Sequence, residues 1–203
     1  MLFQVADIVI PLRELAHIDA NVAYHLWVLV FSYAWHSLQK EEQVMLVNPM
    51  ITLLSKDYHI RQKDSRPNVI QALLEGLYLS SPQPKIPSQL IKFLGESYNA
   101  WHIAASILEN RVMSYPHETS CSEALAELYC MLNEEDLRYG LWKKNVITAE
   151  MRAGLSLVQH GYWQRAQDLF YRVMSKATQG SYNNSVSKAE MSFSRIIVVM
   201  IDH

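Results

Sequence analysis

Eight histidines, two cysteines and twenty carboxylates are the residues of this chain that could do chemistry, and their spacing assembles no reaction centre. Zinc needs Cys or His ligands a few positions apart, and neither Cys121 nor Cys130 has such a companion. On one helix those two thiols are separated by about 13 Å of rise, too far to form a disulfide. Free thiols of this kind fit a reducing compartment. Glu134, Glu135 and Asp136 are the one acidic run. An acid/base pair needs two carboxylates held across a pocket, whereas adjacent acids after Asn133 fit the first turn of a helix. The six glycines form neither a GxGxxG nor a Walker A loop, and there is no GxSxG or HExxH. No cofactor, metal or catalytic residue follows from these positions, and the chain reads as non-enzymatic. Asn183-Asn184-Ser185 matches a glycosylation acceptor by pattern, but no signal peptide precedes it and its use is not expected.

Binding chemistry is equally sparse. The formal charge is −2 and the pI about 6.4, so there is no overall electrostatic footprint for nucleic acid. Lys56, Arg61, Lys63 and Arg66 cluster, but Asp57 and Asp64 interrupt them, as on a solvated helix face. Five tryptophans and eleven tyrosines could stack on bases. Their helical spacing favours core packing instead. The PxxP pattern Pro84-Lys85-Ile86-Pro87 sits within Ser80–Pro87 and reads as a stiff connector between helices. Val22 to Leu38 lacks formal charge, but His25, Ser32 and His36 interrupt a stretch already short for a membrane span. It is expected to be a fully buried helix. Half the residues are hydrophobic and 19% are charged, which marks a folded chain with less charged surface than usual.

The elements beneath these residues repeat. Gly154, Leu157, Gly161, Trp163, Ala166 and Phe170 have the intervals of a tetratricopeptide-like hairpin. Small residues, Gly154 and Ala166, stand where two helices cross, and Leu157 and Phe170 fill the space beside them. Gly161 supplies the left-handed residue that ends the first helix. Trp163 is expected to be buried with Ala166 and Phe170. Trp101, Ala104 and Leu108 repeat the Trp-x-x-Ala-x-x-x-apolar pattern, and Pro116 stands where such repeats commonly stop. Leu125, Leu128, Tyr129 and Leu132 make a further helical stripe, with Asn133 a candidate cap for the next helix. Helices are also expected from Ala20 behind Asp19, from Glu41 to Arg61 with Pro49 as a kink or a new start, and from Pro67. The fold class is all-α, an α-solenoid of tetratricopeptide-like helical hairpins.

Long strings of the chain resemble a known family. HIDANVAYHLWVLVF (17–31), ITLLSKDYH (51–59), RPNVIQALLEG (66–76) and PQPKIPSQLIKF (82–93) resemble the FAT region of the transcription-associated pseudokinases of the phosphatidylinositol-3-kinase-related family. So do LAELYCMLNEEDLRYGLWKK (125–144), GLSLVQHGYWQRAQDLFY (154–171) and TQGSYNN (178–184). The resemblance implies an α-solenoid clasping a kinase-like module that lacks catalytic residues. It further implies a nuclear scaffold in SAGA-type histone acetyltransferase complexes, with their subunits and transcriptional activators as partners and no direct nucleic-acid or membrane contact. None of the family's catalytic or cofactor positions falls within these residues. On this reading residues 1–191 belong to the FAT-type array. From Ser192 the text SFSRIIVVMIDH departs from the family, and residues 192–203 are expected to lie outside the repeats of a fragment or truncated product.

The run Ile196-Ile197-Val198-Val199-Met200-Ile201 has the apolar, β-branched, uncharged pattern of an aggregation-prone segment. Deleting Ser192–His203 is expected to raise solubility with no loss of helical circular dichroism. A fall of several degrees in Tm on deletion would show instead that the tail is an integral part of the fold.

Overall fold

The computed structural model describes residues 5–116, 118–145 and 148–178. The expectations for the Asn183-Asn184-Ser185 acceptor and the 192–203 tail lie outside the described residues. The chain divides into two compact units, Met1–Leu128 and Tyr129–His203. Among the described residues there are ten α-helices, one 3₁₀ helix and no strand, an all-α fold of the solenoid class.

In the first unit α1 (Val5–Ile18) gives way at Asp19 to α2 (Ala20–Ser37). The Asp19 carboxylate accepts hydrogen bonds from the backbone N–H groups of Asn21 at 2.8 Å and Val22 at 3.4 Å, filling donors that the first turn leaves open. α3 (Lys40–Leu54) begins with a capping box, in which the Glu42 side chain reaches back to the Gln39 N–H. It runs through Pro49 without breaking. Proline has no N–H to give the carbonyl of Met45, so the helix forgoes one rung there and continues. A 3₁₀ helix, Asp57–Gln62, follows where the α-helical stretch was expected to run on to Arg61. α4 (Val69–Leu79) starts two residues after Pro67, because Asn68 is its cap. The fully buried Asn68 side chain accepts from the Ile70 N–H at 2.8 Å and donates to the Gln62 carbonyl at 2.9 Å. α5 (Ser88–Ser97) and α6 (Trp101–Ser114) complete a core around Ile70, Leu74, Ile91, Leu94, Ala104 and Leu108, all with at most 1% exposure.

α2 was expected to be buried all round and is not. Only Val28 and Trp35 are buried, while Leu29, Val30 and Tyr33 are exposed, Tyr33 by 77%. Its packing partners α1 and α4 cover one side only. On the packed side, the Trp35 indole donates to the Pro82 carbonyl at 2.7 Å, and the buried Gln43 amide donates to the Trp35 carbonyl at 2.9 Å. The Tyr24 hydroxyl donates to Glu75 of α4. Burial, together with the bond to Glu75 and its charge, pushes the Tyr24 phenol above its ordinary value.

α7 (Thr119–Met131) leads to α8 (Glu135–Asn145), α9 (Ala149–Gln159) and α10 (Trp163–Thr178). The turns that close α5, α7 and α9 share one design. Asn99, Asn133 and Gly161 have φ of 54°, 59° and 76°. The residue after each donates its N–H five positions back: Ala100 to Gly95 at 3.0 Å, Glu134 to Tyr129 at 2.9 Å and Tyr162 to Leu157 at 2.9 Å. This left-handed closure meets otherwise orphaned carbonyls and reverses the chain, so that each next helix starts two residues beyond. Asn133 therefore ends α7 and does not cap α8, because its positive φ excludes the extended geometry of a cap.

In the second unit the core is Trp142, Met151, Leu155, Val158, Ala166, Phe170 and Val173, with Leu157 half-buried against it. A Cβ on Gly154 would stand 2.7 Å from the Phe170 ring, so glycine is what allows α9 and α10 to close there. Trp163 departs from expectation: it is 48% exposed. It is the first residue of α10, and its indole lies near Gly161, short of the crossing where Ala166 and Phe170 are covered.

Three substitutions separate these roles in urea unfolding of the full chain. Phe170→Ala is expected to cost about 3–5 kcal/mol and Gly154→Ala about 1–3 kcal/mol, while Trp163→Ala costs less than about 1 kcal/mol. Equal losses for Trp163 and Phe170 would contradict the packing described. A raised phenol pKa stabilises the fold fully below the ordinary value of 10.0 and loses that contribution as pH rises through the folded value. Tyr24→Phe is therefore expected to reduce stability at neutral pH and to shrink its decline above that value, measured by unfolding at a series of pH values.

Candidate partner-binding surfaces

Among the described residues no cluster of three His, Cys, Asp or Glu side chains could hold a metal, and no helix is long and apolar enough to cross a membrane. Both cysteines are free. Cys121 is buried and its Sγ points at the Leu108 carbonyl at 3.5 Å; burial pushes the thiol up, away from the reactive thiolate. Cys130 is exposed and accepts from the Arg138 guanidinium at 3.0 Å.

The repeat positions fall into two hairpins. In α6, Ala104 and Leu108 are fully buried and Trp101 is half-buried. A Cβ on Gly95 would come 2.7 Å from that of Ala104, so this crossing is tight on both sides. In α9 and α10, Gly154, Ala166 and Phe170 meet, Leu157 flanks them, Gly161 turns the chain and Trp163 faces outward. An intermediate set was not read from the sequence. Counted from the left-handed turn residues, Arg138 and Trp142 of α8 stand where Ala104 and Leu108, or Ala166 and Phe170, stand in their hairpins. Arg138 in place of alanine hid the pattern. Its guanidinium pairs with Glu135 and lies 4.8 Å from the Trp142 ring centroid, a stacked arrangement that makes a cation tolerable at a position only 9% exposed. The signal that could have found this set is Asn133 itself, 34 residues after Asn99.

What the described residues offer a partner is surface. Val30 and Tyr33 of α2 and Val44, Met45 and Leu46 of α3 are exposed apolar side chains. In α10, Trp163 and Tyr171 are exposed two turns apart, with the Arg165 guanidinium 5.7 Å from the Tyr162 ring centroid. Tryptophan, tyrosine and arginine are the types that most often anchor interfaces.

A third feature is concave. The Ser80–Pro87 connector folds back on the C-terminal turn of α6, where the buried Arg111 guanidinium donates to the carbonyls of Ile86 and, at 3.1 Å, Pro84. Beside it lies a cavity of about 380 Å³ lined by Lys85, Ile86, Pro87, Arg111, Tyr115 and Glu118. Lys85 Nζ is 5.4 Å from the Tyr115 ring centroid. The sequence marked this connector as a stiff link and gave no sign of the clamp.

Comparison with known proteins places these elements. A family described as the Tra1 HEAT repeat ring region matches residues 2–79. The chain is 37% identical over 192 residues, 90% of its length, to the SAGA complex/NuA4 acetyltransferase complex subunit TRA1 of Saccharomyces cerevisiae. It is 34% identical over 180 residues, 85% of its length, to the corresponding Schizosaccharomyces pombe subunit Tra1. To the human transformation/transcription domain-associated protein it is 26% identical over 197 residues. The chain spans about a twentieth of the length of each of these relatives. The ring-region match covers three of the strings that resemble the FAT region, 17–31, 51–59 and 66–76. The chain belongs to the Tra1/transformation/transcription domain-associated protein family.

Proposed function

We propose that this chain is a non-enzymatic scaffold segment of a nuclear transcription coactivator of the SAGA/NuA4 type, within a pseudokinase of the phosphatidylinositol-3-kinase-related family. The observation that carries the reading is identity of 34–37% along 85–90% of the chain to subunits named for those complexes. The physical character of the molecule supports it. Paired helices with apolar and aromatic side chains left on their outer faces present area to other proteins. In this reading residues 1–191 belong to one FAT-type helical array, of which residues 2–79 match the ring-region family, and 192–203 lie outside it. Partners in this reading are acetyltransferase-complex subunits and transcriptional activators. The formal charge of −2 favours contact through protein over direct contact with nucleic acid or a membrane surface.

Affinity purification of the native full-length gene product from nuclear extract tests this. Acetyltransferase-complex subunits are expected to copurify in stoichiometric amounts, and the purified 203-residue chain is expected to show no phosphoryl or acetyl transfer. Recovery without any such subunit would overturn the assignment, as would an activity abolished by changing one of the chain's own residues.

A further inference from the structure

The cavity beside Arg111 holds an imbalance of charge. Arg111 is 8% exposed, and two of its five N–H donors go to the Ile86 and Pro84 carbonyls, which supply dipoles and no negative charge. Among the described residues no carboxylate lies within ion-pair distance of Arg111 or Lys85. A buried cation without a counter-charge is costly, and proteins ordinarily pair it. Here a second cation, the exposed Lys85, lines the same cavity over the Tyr115 ring, and Glu118 is the one acid among the described lining residues. Among the described lining residues two positive charges therefore face one negative charge, a balance that favours an anionic ligand. The other described lining residues are Ile86, Pro87 and Tyr115, which is 52% exposed.

We propose that this groove, between the Pro84–Pro87 connector and the end of α6, binds a single carboxylate of an acidic peptide, with an apolar neighbour of that acid against Pro87 and Tyr115. The carboxylate takes N–H donors that Arg111 does not use on the connector and pairs with Lys85. A phosphate group carries close to two negative charges and would bring the excess against Glu118, so charge matching favours the carboxylate. Arg111 is already held by the connector, so its guanidinium loses little freedom on binding. The volume suits one or two side chains and not a folded domain. This site goes beyond membership of a coactivator complex and does not depend on it.

The test is a titration of the ¹⁵N-labelled 203-residue chain with the peptide N-acetyl-Leu-Asp-Leu-amide, followed by NMR at the amides of Lys85, Ile86 and Tyr115. Saturable shifts confined to this region are expected. Replacing Asp by Asn in the peptide is expected to weaken binding about tenfold or more, the scale of a charged hydrogen bond. Lys85→Glu in the protein is expected to weaken it similarly with Tm unchanged, because the Lys85 side chain is exposed and the connector is held through the main-chain carbonyls on either side of it. Arg111→Met is expected to abolish binding, and its helical circular dichroism shows whether the fold has survived; Lys85→Glu carries the test if it has not. The proposal fails if no shifts appear, if the Asn peptide binds as well, if sodium acetate saturates the same shifts at the same concentration, or if the peptide with phosphoserine in place of Asp binds more tightly. None of these results bears on which subunits copurify with the full-length gene product, so the two readings stand or fall separately.

Discussion

The structure depends on a backbone constraint at three points: a residue held in left-handed geometry at Asn99, Asn133 and Gly161, with the following N–H returned to a carbonyl five positions earlier. Each bond of this kind satisfies part of a helix end and at the same time fixes the direction in which the chain leaves it. Without that reversal Ala104 would not meet Gly95, nor would Phe170 meet Gly154. Close packing at the crossings is a consequence of the turns and also their support, because a left-handed asparagine is mildly strained and is held by what packs on either side.

The crossings then show two ways to join helices. One uses absence of volume, with Gly95 against Ala104 and Gly154 against Phe170. The other uses polar anchors set into apolar surroundings: Asn68 beneath α4, Gln43 on the Trp35 carbonyl, Arg111 on the connector and Arg138 over Trp142. Each anchor is buried and bonded, which is the condition under which a polar side chain inside a protein supports the fold. Asn68 and Arg111 hold irregular segments, where no helical ladder supplies partners for the backbone. That division explains why the Ser80–Pro87 connector keeps its place despite having few hydrogen bonds of its own.

Helical character, the Asp19 cap, the charge order of α8 and the small residues of the last hairpin were legible in the sequence because each rests on contacts within a few positions. Asn133 and Trp163 were misread for a common reason. Asparagine serves at either end of a helix, and only φ distinguishes the two uses. A tryptophan on an apolar stripe is buried only if the neighbouring helix extends that far, and at the first residue of α10 it does not. The exposure of α2 was hidden in the same way, since hydropathy records what a helix would bury and not how many neighbours it has. The Arg111 cavity was beyond reach: it joins residues some 25 positions apart through main-chain carbonyls, which carry no sequence signal.

The two cysteines of α7 give the helix a pair of chemical reporters with different access. Cys130 meets solvent as the molecule stands, whereas Cys121 is enclosed under the Leu108 carbonyl and reacts only when its surroundings open. A thiol reagent therefore labels them by different kinetic routes: one rate set by encounter with the reagent, the other multiplied by the fraction of time the helix is detached. Their ratio amounts to a thermodynamic gauge already written into a single helix, able to follow how firmly α7 is seated while something else binds elsewhere on the chain.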